Sequence, residues 1–166
     1  MGTLGRSLVG DKVDQVIEML NSALADEWLA YYQYWIGAKV AVGPMRGAAA
    51  AELEEHAVEE LEHALMLVER ILVLGGTPLL SPQDWFEATG CGYETPEDPY
   101  VGVLLKQNIE GEQCAIRAYQ EIMDFTKEID PLTYDMVLRI KADEIEHEED
   151  LEALQEDLQL MRERGR

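Results

Sequence analysis

The stretch from Ala51 to Gly76, AELEEHAVEELEHALMLVERILVLGG, decides the fold. Leu53, His56, Glu60, His63, Leu67, Ile71 and Leu74 recur at spacings of three and four, so they share one face of a long helix. Gly75-Gly76 ends that helix, because glycine takes the left-handed conformation that closes a last turn without steric cost. The remaining positions are rich in charge and belong to a solvated face. The inward stripe nevertheless carries Glu60 at its centre, with His56 and His63 about one turn away on either side.

Working outward, Gly43-Pro44 stops whatever precedes and leaves a helix over about 46–74. Asp11 with Asp14 reads as an N-cap signal for an earlier helix over about 11–42. Beyond Gly76 comes a segment broken by Pro78, Pro82, Gly90, Gly92, Pro96 and Pro99. Within it, Ser81-Pro82 looks like a cap and first-turn proline for a short helix over about 82–88. Asp98-Pro99 opens a helix over about 99–126, and Asp130-Pro131 opens one over about 131–162. No alternating strand pattern competes. The first and third connections between long helices are short and force antiparallel pairs. The second is long, and a connection of that length is explained if it runs the full length of a bundle. The expectation is an all-α chain, one domain over 1–166: a four-helix bundle with a long crossover containing a short helix.

All four stripes share the anomaly. The first reads Val13, Ile17, Leu20, Leu24, Glu27, Tyr31, Tyr34, Ala38; the third reads Leu105, Ile109, Glu112, Ile116, Tyr119, Met123. The fourth reads Val137, Ile140, Glu144, His147, Leu151, Leu154, Leu158. Each has a Glu where a leucine belongs. Glu110 shares a polar face with Cys114, Arg117 and Glu121 and is the weaker candidate on the third helix. Four buried carboxylates would cost several kcal/mol per ion if unpaired. They survive either protonated or around cations, and two divalent ions balance four carboxylates. The chain's three histidines all fall on the stripes, and two follow a stripe Glu by three residues, Glu60-Leu61-Glu62-His63 and Glu144-Ile145-Glu146-His147. One Glu from each of two helices plus Glu-x-x-His from the other two is the ligand set of di-iron carboxylate bundles. The spacing also repeats: Glu27 to Glu60 is 33 residues, Glu112 to Glu144 is 32, and a Tyr (Tyr34, Tyr119) follows each first Glu by seven. The halves read as two copies of one metal-binding hairpin.

Composition narrows the partners. With 13 Lys plus Arg against 34 Asp plus Glu, the net charge of −21 repels phosphate backbones and disfavours nucleic acid. The longest run without a charge, Ile71 to Gln83, is 13 residues and too short to span a bilayer, so no membrane partner is expected. Residues 1–10 show no apolar leader pattern. Two cysteines are too few for a disulfide scaffold and point to a cytoplasmic chain.

Glu27-Trp-Leu-Ala-Tyr-Tyr-Gln-Tyr34 resembles the first-helix ferroxidase motif of bacterioferritins, and Glu60-Leu-Glu-His63 through Gly75 is similar to their second helix. The resemblance covers about residues 11–160 and implies the ferritin-like fold. It also implies two irons per subunit, bridged by Glu60 and Glu144, with Glu27 and Glu112 as terminal carboxylates and His63 and His147 as terminal nitrogens. Bacterioferritins place a haem-binding Met directly after the second-helix Glu. Here that residue is Leu61, so no haem is expected. The longer crossover with its short helix, Cys91-Gly-Tyr, and Glu112-Gln-Cys114-Ala-Ile-Arg-Ala-Tyr119 resemble the Dps-like thioferritins. That resemblance implies a homo-oligomeric, twelve-subunit cage that oxidises Fe(II) with peroxide or dioxygen and stores Fe(III). Two other readings stand beside it: a di-iron or di-manganese peroxidase or catalase that stores nothing, and a metal-free interaction bundle.

Five residues keep alternatives. His56 fits a donor to a ligating carboxylate or a satisfied core residue better than a ligand to a third metal. Tyr34 and Tyr119 either relay electrons or pack in the core with their hydroxyls bonded to ligand carboxylates. Cys114 lies two residues after Glu112 and faces outward, and the chain from Cys91 to Pro99 is long enough to return Cys91 beside it. A disulfide or a pair of nearby thiols is expected there; otherwise the two are unrelated buried cysteines.

Overall fold

A computed structural model describes residues 3–164. Among the described residues the regular structure is helical throughout, with no strands. A short α1 (Thr3–Val9) leads through a 3-10 turn (Gly10–Lys12) into α2 (Val13–Val40), which turns back as α3 (Arg46–Val73). The crossover holds α4 (Pro82–Ala88), and α5 (Val101–Thr126) and α6 (Pro131–Arg164) form the second hairpin. The four expected long helices and the short crossover helix are all present. Among the described residues, no helix is long and apolar enough to cross a membrane.

Helix ends follow the local chemistry, with two departures. Ser81 accepts from Gln83 N at 3.3 Å with Pro82 in the first turn of α4. Asp130 caps α6, its Oδ1 accepting from Thr133 N at 3.2 Å. At the end of α3, Gly75 N bonds Leu72 O and Gly76 N bonds Ile71 O, with Gly75 at φ 78°. A Cβ on Gly76 would stand 2.7 Å from Ile17, so the turn needs glycine there to lie against α2. Asp11, however, is not a cap. α1 runs on into α2, and Lys12 precedes Val13 in helical conformation with no side-chain cap. α1 lacks an apolar period, with Leu4 and Leu8 exposed; it is tied down instead by Arg6, which donates to Leu74 O at 2.5 Å. The second departure is α5, which starts at Val101 rather than at Pro99. The Pro99 carbonyl is taken by Val42 N at 2.9 Å, and Val101 N returns a bond to Val42 O at 3.0 Å.

The crossover is sewn along α2 in ascending order. Asn21 holds Thr77 and Leu79, Ser22 holds the carbonyl of Ala88, Gln33 accepts from Glu94 N, and Val42 meets Pro99. Trp28 stacks on Trp85 with ring centroids 5.2 Å apart. The segment therefore travels the bundle from the α3 end to the α2–α3 turn.

The core is two apolar clusters rather than one. Val16, Leu20, Leu24, Leu67, Ile71, Ile122, Val137 and Ile140 pack one end. Leu53, Ala57, Val101, Leu105, Leu151 and Leu158 pack the other. Between them lies a buried belt of Glu27, Glu60, His63, Glu112, Glu144 and His147.

Candidate metal centre

Each helix delivers its belt residue because the apolar residues a turn away on both sides pin the same stripe inward. All six residues are at most 3% exposed. Glu110 is exposed, so the phase assigned to α5 is the one the fold uses.

The donor atoms fall into two groups. Glu27, Glu60, His63 and Glu144 form one; Glu60, Glu112, Glu144 and His147 form the other. Glu60 and Glu144 are common to both. His63 Nδ1 lies 3.4 Å from Glu27, 3.6 Å from Glu60 and 3.2 Å from Glu144. His147 Nδ1 lies 3.5 Å from Glu60, 3.9 Å from Glu112 and 3.8 Å from Glu144. One oxygen of each carboxylate and Nδ1 of both histidines are buried without a hydrogen-bond partner. Buried polar atoms are almost always paired, and here six orphans converge on one spot. Burial, reinforced by Glu27 at Glu60 and by Glu144 at Glu112, holds both carboxyls above the ordinary range. Divalent cations between these atoms would relieve both the repulsion and the missing partners, and each group could hold one.

The tyrosines cross between hairpins. Tyr34 of α2 donates to Glu112 of α5, and Tyr119 of α5 donates to Glu27 of α2. Burial and the adjacent carboxylates push both phenols up, which keeps them protonated as donors. The carboxylate-bonded alternative is the geometry present.

Two residues of the site escaped the sequence reading. Asp143 Oδ2 sits 3.1 Å from His63 Nε2, and Glu59 Oε2 sits 2.6 Å from His147 Nε2. Each leaves Nδ1 turned toward the carboxylates, the usual arrangement by which an outer carboxylate orients a ligand imidazole. The signal was present: each acidic residue directly precedes a stripe glutamate. Asp26 precedes Glu27 in the same way but serves the crossover. Its Oδ1 accepts from Thr89, from Gly90 N at 3.0 Å and from Cys91 N at 2.9 Å.

His56 is not hydrogen-bonded to a belt carboxylate. Its ring stacks on His147 at 4.0 Å, and its Nδ1 is buried without a partner. Burial and the neighbouring His147 push its pKa down to about 3, so the ring is neutral. Cys91 and Cys114 form a disulfide with Cα atoms 5.7 Å apart, pinning the crossover to α5. Beside it, a cavity of about 220 Å³ between α2 and α5 leads from exposed Glu94 and Glu110 to buried Glu27, Glu60, Glu112 and Glu144.

Residues 17–161 match the ferritin-like domain family. The chain belongs to that family. Within the ferritin-like proteins it is 38% identical over 141 residues to the DNA protection during starvation protein of Pyrococcus furiosus, covering 84% of this chain and 76% of that protein. It is 31% identical over 115 residues to the bacterioferritin of Rhodobacter capsulatus, covering 69% and 66%. The dodecameric thioferritin of Bacteroides fragilis, a bacterioferritin-related protein, superposes with a TM-score of 0.95 at 44% identity over 98% of both chains. Dps from Thermosynechococcus elongatus shares the fold at a TM-score of 0.81 and 19% identity. Iron storage and ferroxidase chemistry is the general business of this ferritin-like family, and the relatives are Dps-like and bacterioferritin-related together, as the sequence motifs implied.

Proposed function

We propose that this protein is a cytoplasmic ferroxidase and iron store that takes two Fe(II) per subunit as substrate. The observation that carries the reading is the convergence of six partnerless, buried donor atoms into two groups sharing Glu60 and Glu144. Glu60 and Glu144 would bridge the ions; Glu27 with His63, and Glu112 with His147, would complete the separate ends. The charge balances, since two divalent ions offset four carboxylates. Glu59 and Asp143 hold the imidazoles with Nδ1 inward, and Tyr34 and Tyr119 hold the terminal carboxylates. Fe(II) would arrive through the cavity between α2 and α5, past Glu94 and Glu110. Two Fe(II) give up two electrons; one peroxide takes them with two protons and leaves as two waters. Dioxygen is the other oxidant the site would serve.

The likeness to a dodecameric thioferritin supports assembly as a twelve-subunit cage that stores the Fe(III). Leu61, an exposed hydrocarbon side chain in the position where bacterioferritins carry a haem-binding Met, offers haem no ligand.

Stopped-flow Fe(II) oxidation tests the reading. Glu60→Ala should abolish fast oxidation with helical content intact. Oxidation as fast as in the wild type would overturn it. Because the belt is complete within one chain, a peroxidase that stores nothing would use the same residues. Metal retained after iron loading separates the two: many irons per chain support storage, about two support the peroxidase.

A further inference from the structure

The two hairpins are near-copies around the belt, and α3 and α6 differ one turn before their glutamates. Four positions before Glu144 stands Ile140, fully buried in the apolar cluster. Four positions before Glu60 stands His56, equally buried at 2% exposure. A core imidazole normally finds a hydrogen-bond partner for each nitrogen. His56 Nδ1 has none. Its Nε2 points between two carboxylates on different helices, 3.3 Å from Glu52 Oε1 on α3 and 3.9 Å from Asp150 Oδ2 on α6. That nitrogen carries at most one N–H and can satisfy only one of them. The other is left facing its like-charged neighbour.

Donors sharing a first-row cation at about 2.0–2.2 Å stand about 3–3.6 Å apart at right or tetrahedral angles. The Glu52–His56 separation lies in that range. Asp150, whose side chain is 47% exposed, needs only a small rotation to join it. We propose that Glu52, His56 and Asp150 form a third cation site for a divalent first-row transition ion. One imidazole nitrogen with two carboxylate oxygens is a donor set such ions accept.

The position gives the site a task. Glu52, His56 and Glu60 are successive turns of one stripe of α3, and Asp150 follows His147 by one turn on α6. The His56 ring lies against that of His147, and Glu52 and Asp150 reach solvent on the α3–α6 side. The cavity described above opens on the other side, between α2 and α5. Ions would enter the belt through one wall and leave past His56 through the opposite one. This transfer role rests on the ferroxidase reading; the site itself does not.

The test uses the assembled full chain equilibrated with Zn(II), which binds without being oxidised. Anomalous diffraction should show three ions per chain, two in the belt and one at His56 Nε2. The Glu52→Gln/Asp150→Asn double variant should lose the third and keep the pair. A filled belt with nothing at His56 overturns the third site and leaves the ferroxidase reading standing. An ion at His56 with an empty belt does the reverse. For the transfer role, the double variant should slow later rounds of Fe(II) oxidation several-fold relative to the first. An unchanged ratio of later to first rounds overturns that role.

Discussion

Glu59 on α3 places Oε2 2.6 Å from Nε2 of His147 on α6. The opposite hairpin answers with Asp143 on α6, 3.1 Å from His63 Nε2 on α3. Tyr34 and Tyr119 cross between α2 and α5 in the same reciprocal way. Neither hairpin orients its own belt side chains; each is braced by the other. The centre therefore exists only when α2–α3 and α5–α6 are docked, although each hairpin carries half of the donors.

Removing one brace should loosen its histidine without unfolding the bundle. Glu59→Ala and Asp143→Ala should each weaken Zn(II) binding at the belt by about 10–100-fold, the usual cost of losing an outer-sphere partner of a ligand imidazole. Both side chains are half-exposed, so circular dichroism should be unchanged. Isothermal titration of the two variants showing wild-type affinity would mean that Glu59 and Asp143 are bystanders.

Asp130 supplies a pH-dependent part of stability away from the carboxylate belt. Burial alone would raise its carboxyl, but hydrogen bonds from Arg70 and Thr133 outweigh it and hold the group below the ordinary carboxylate range. A depressed folded value means the stabilisation is present above the unfolded pKa, about 4, and is lost as pH falls through the folded one. Asp130→Asn keeps a capping side chain but leaves Arg70 unpaired where it is only 11% exposed. It should cost about 3 kcal/mol at pH 7, read from urea midpoints. The gap between variant and wild type should narrow steadily below about pH 4; a gap constant from pH 7 to 3 would contradict the linkage.

The disulfide closes a loop with a sequence separation of 23. Loop-closure entropy for that length is worth about 3 kcal/mol, so Cys114→Ser should lower stability by that order. The same variant separates a structural from a redox role. If the cysteine pair exchanges electrons with the neighbouring centre, the rate of peroxide-driven Fe(II) oxidation should change, whereas an unchanged rate leaves the bond as a pin for the crossover.

Charge predicts the behaviour toward DNA. At −21 per chain, the assembled particle should not retard duplex DNA at physiological salt. Retardation that weakens as salt is raised would reveal a local basic surface.

The sequence determined the helices, their inward faces and the six belt residues, because helical periodicity is local: a residue's phase on its stripe follows from neighbours three and four positions away. Glu112 over Glu110 was legible for that reason, and chain length allowed Cys91 to return beside Cys114, but that the two are bonded is shown only by the folded structure. The start of α5 was not legible, because Pro99 spends its carbonyl on Val42, far away in sequence. The helix before Gly10 was hidden too, being held by Arg6 against the end of α3 rather than by an apolar stripe of its own. Glu59 and Asp143 looked like two more solvated carboxylates, and His56 like a core residue with partners. Which acid meets which imidazole is a property of the interface between hairpins. Periodicity places a side chain on a face; only the packed bundle sets what stands opposite.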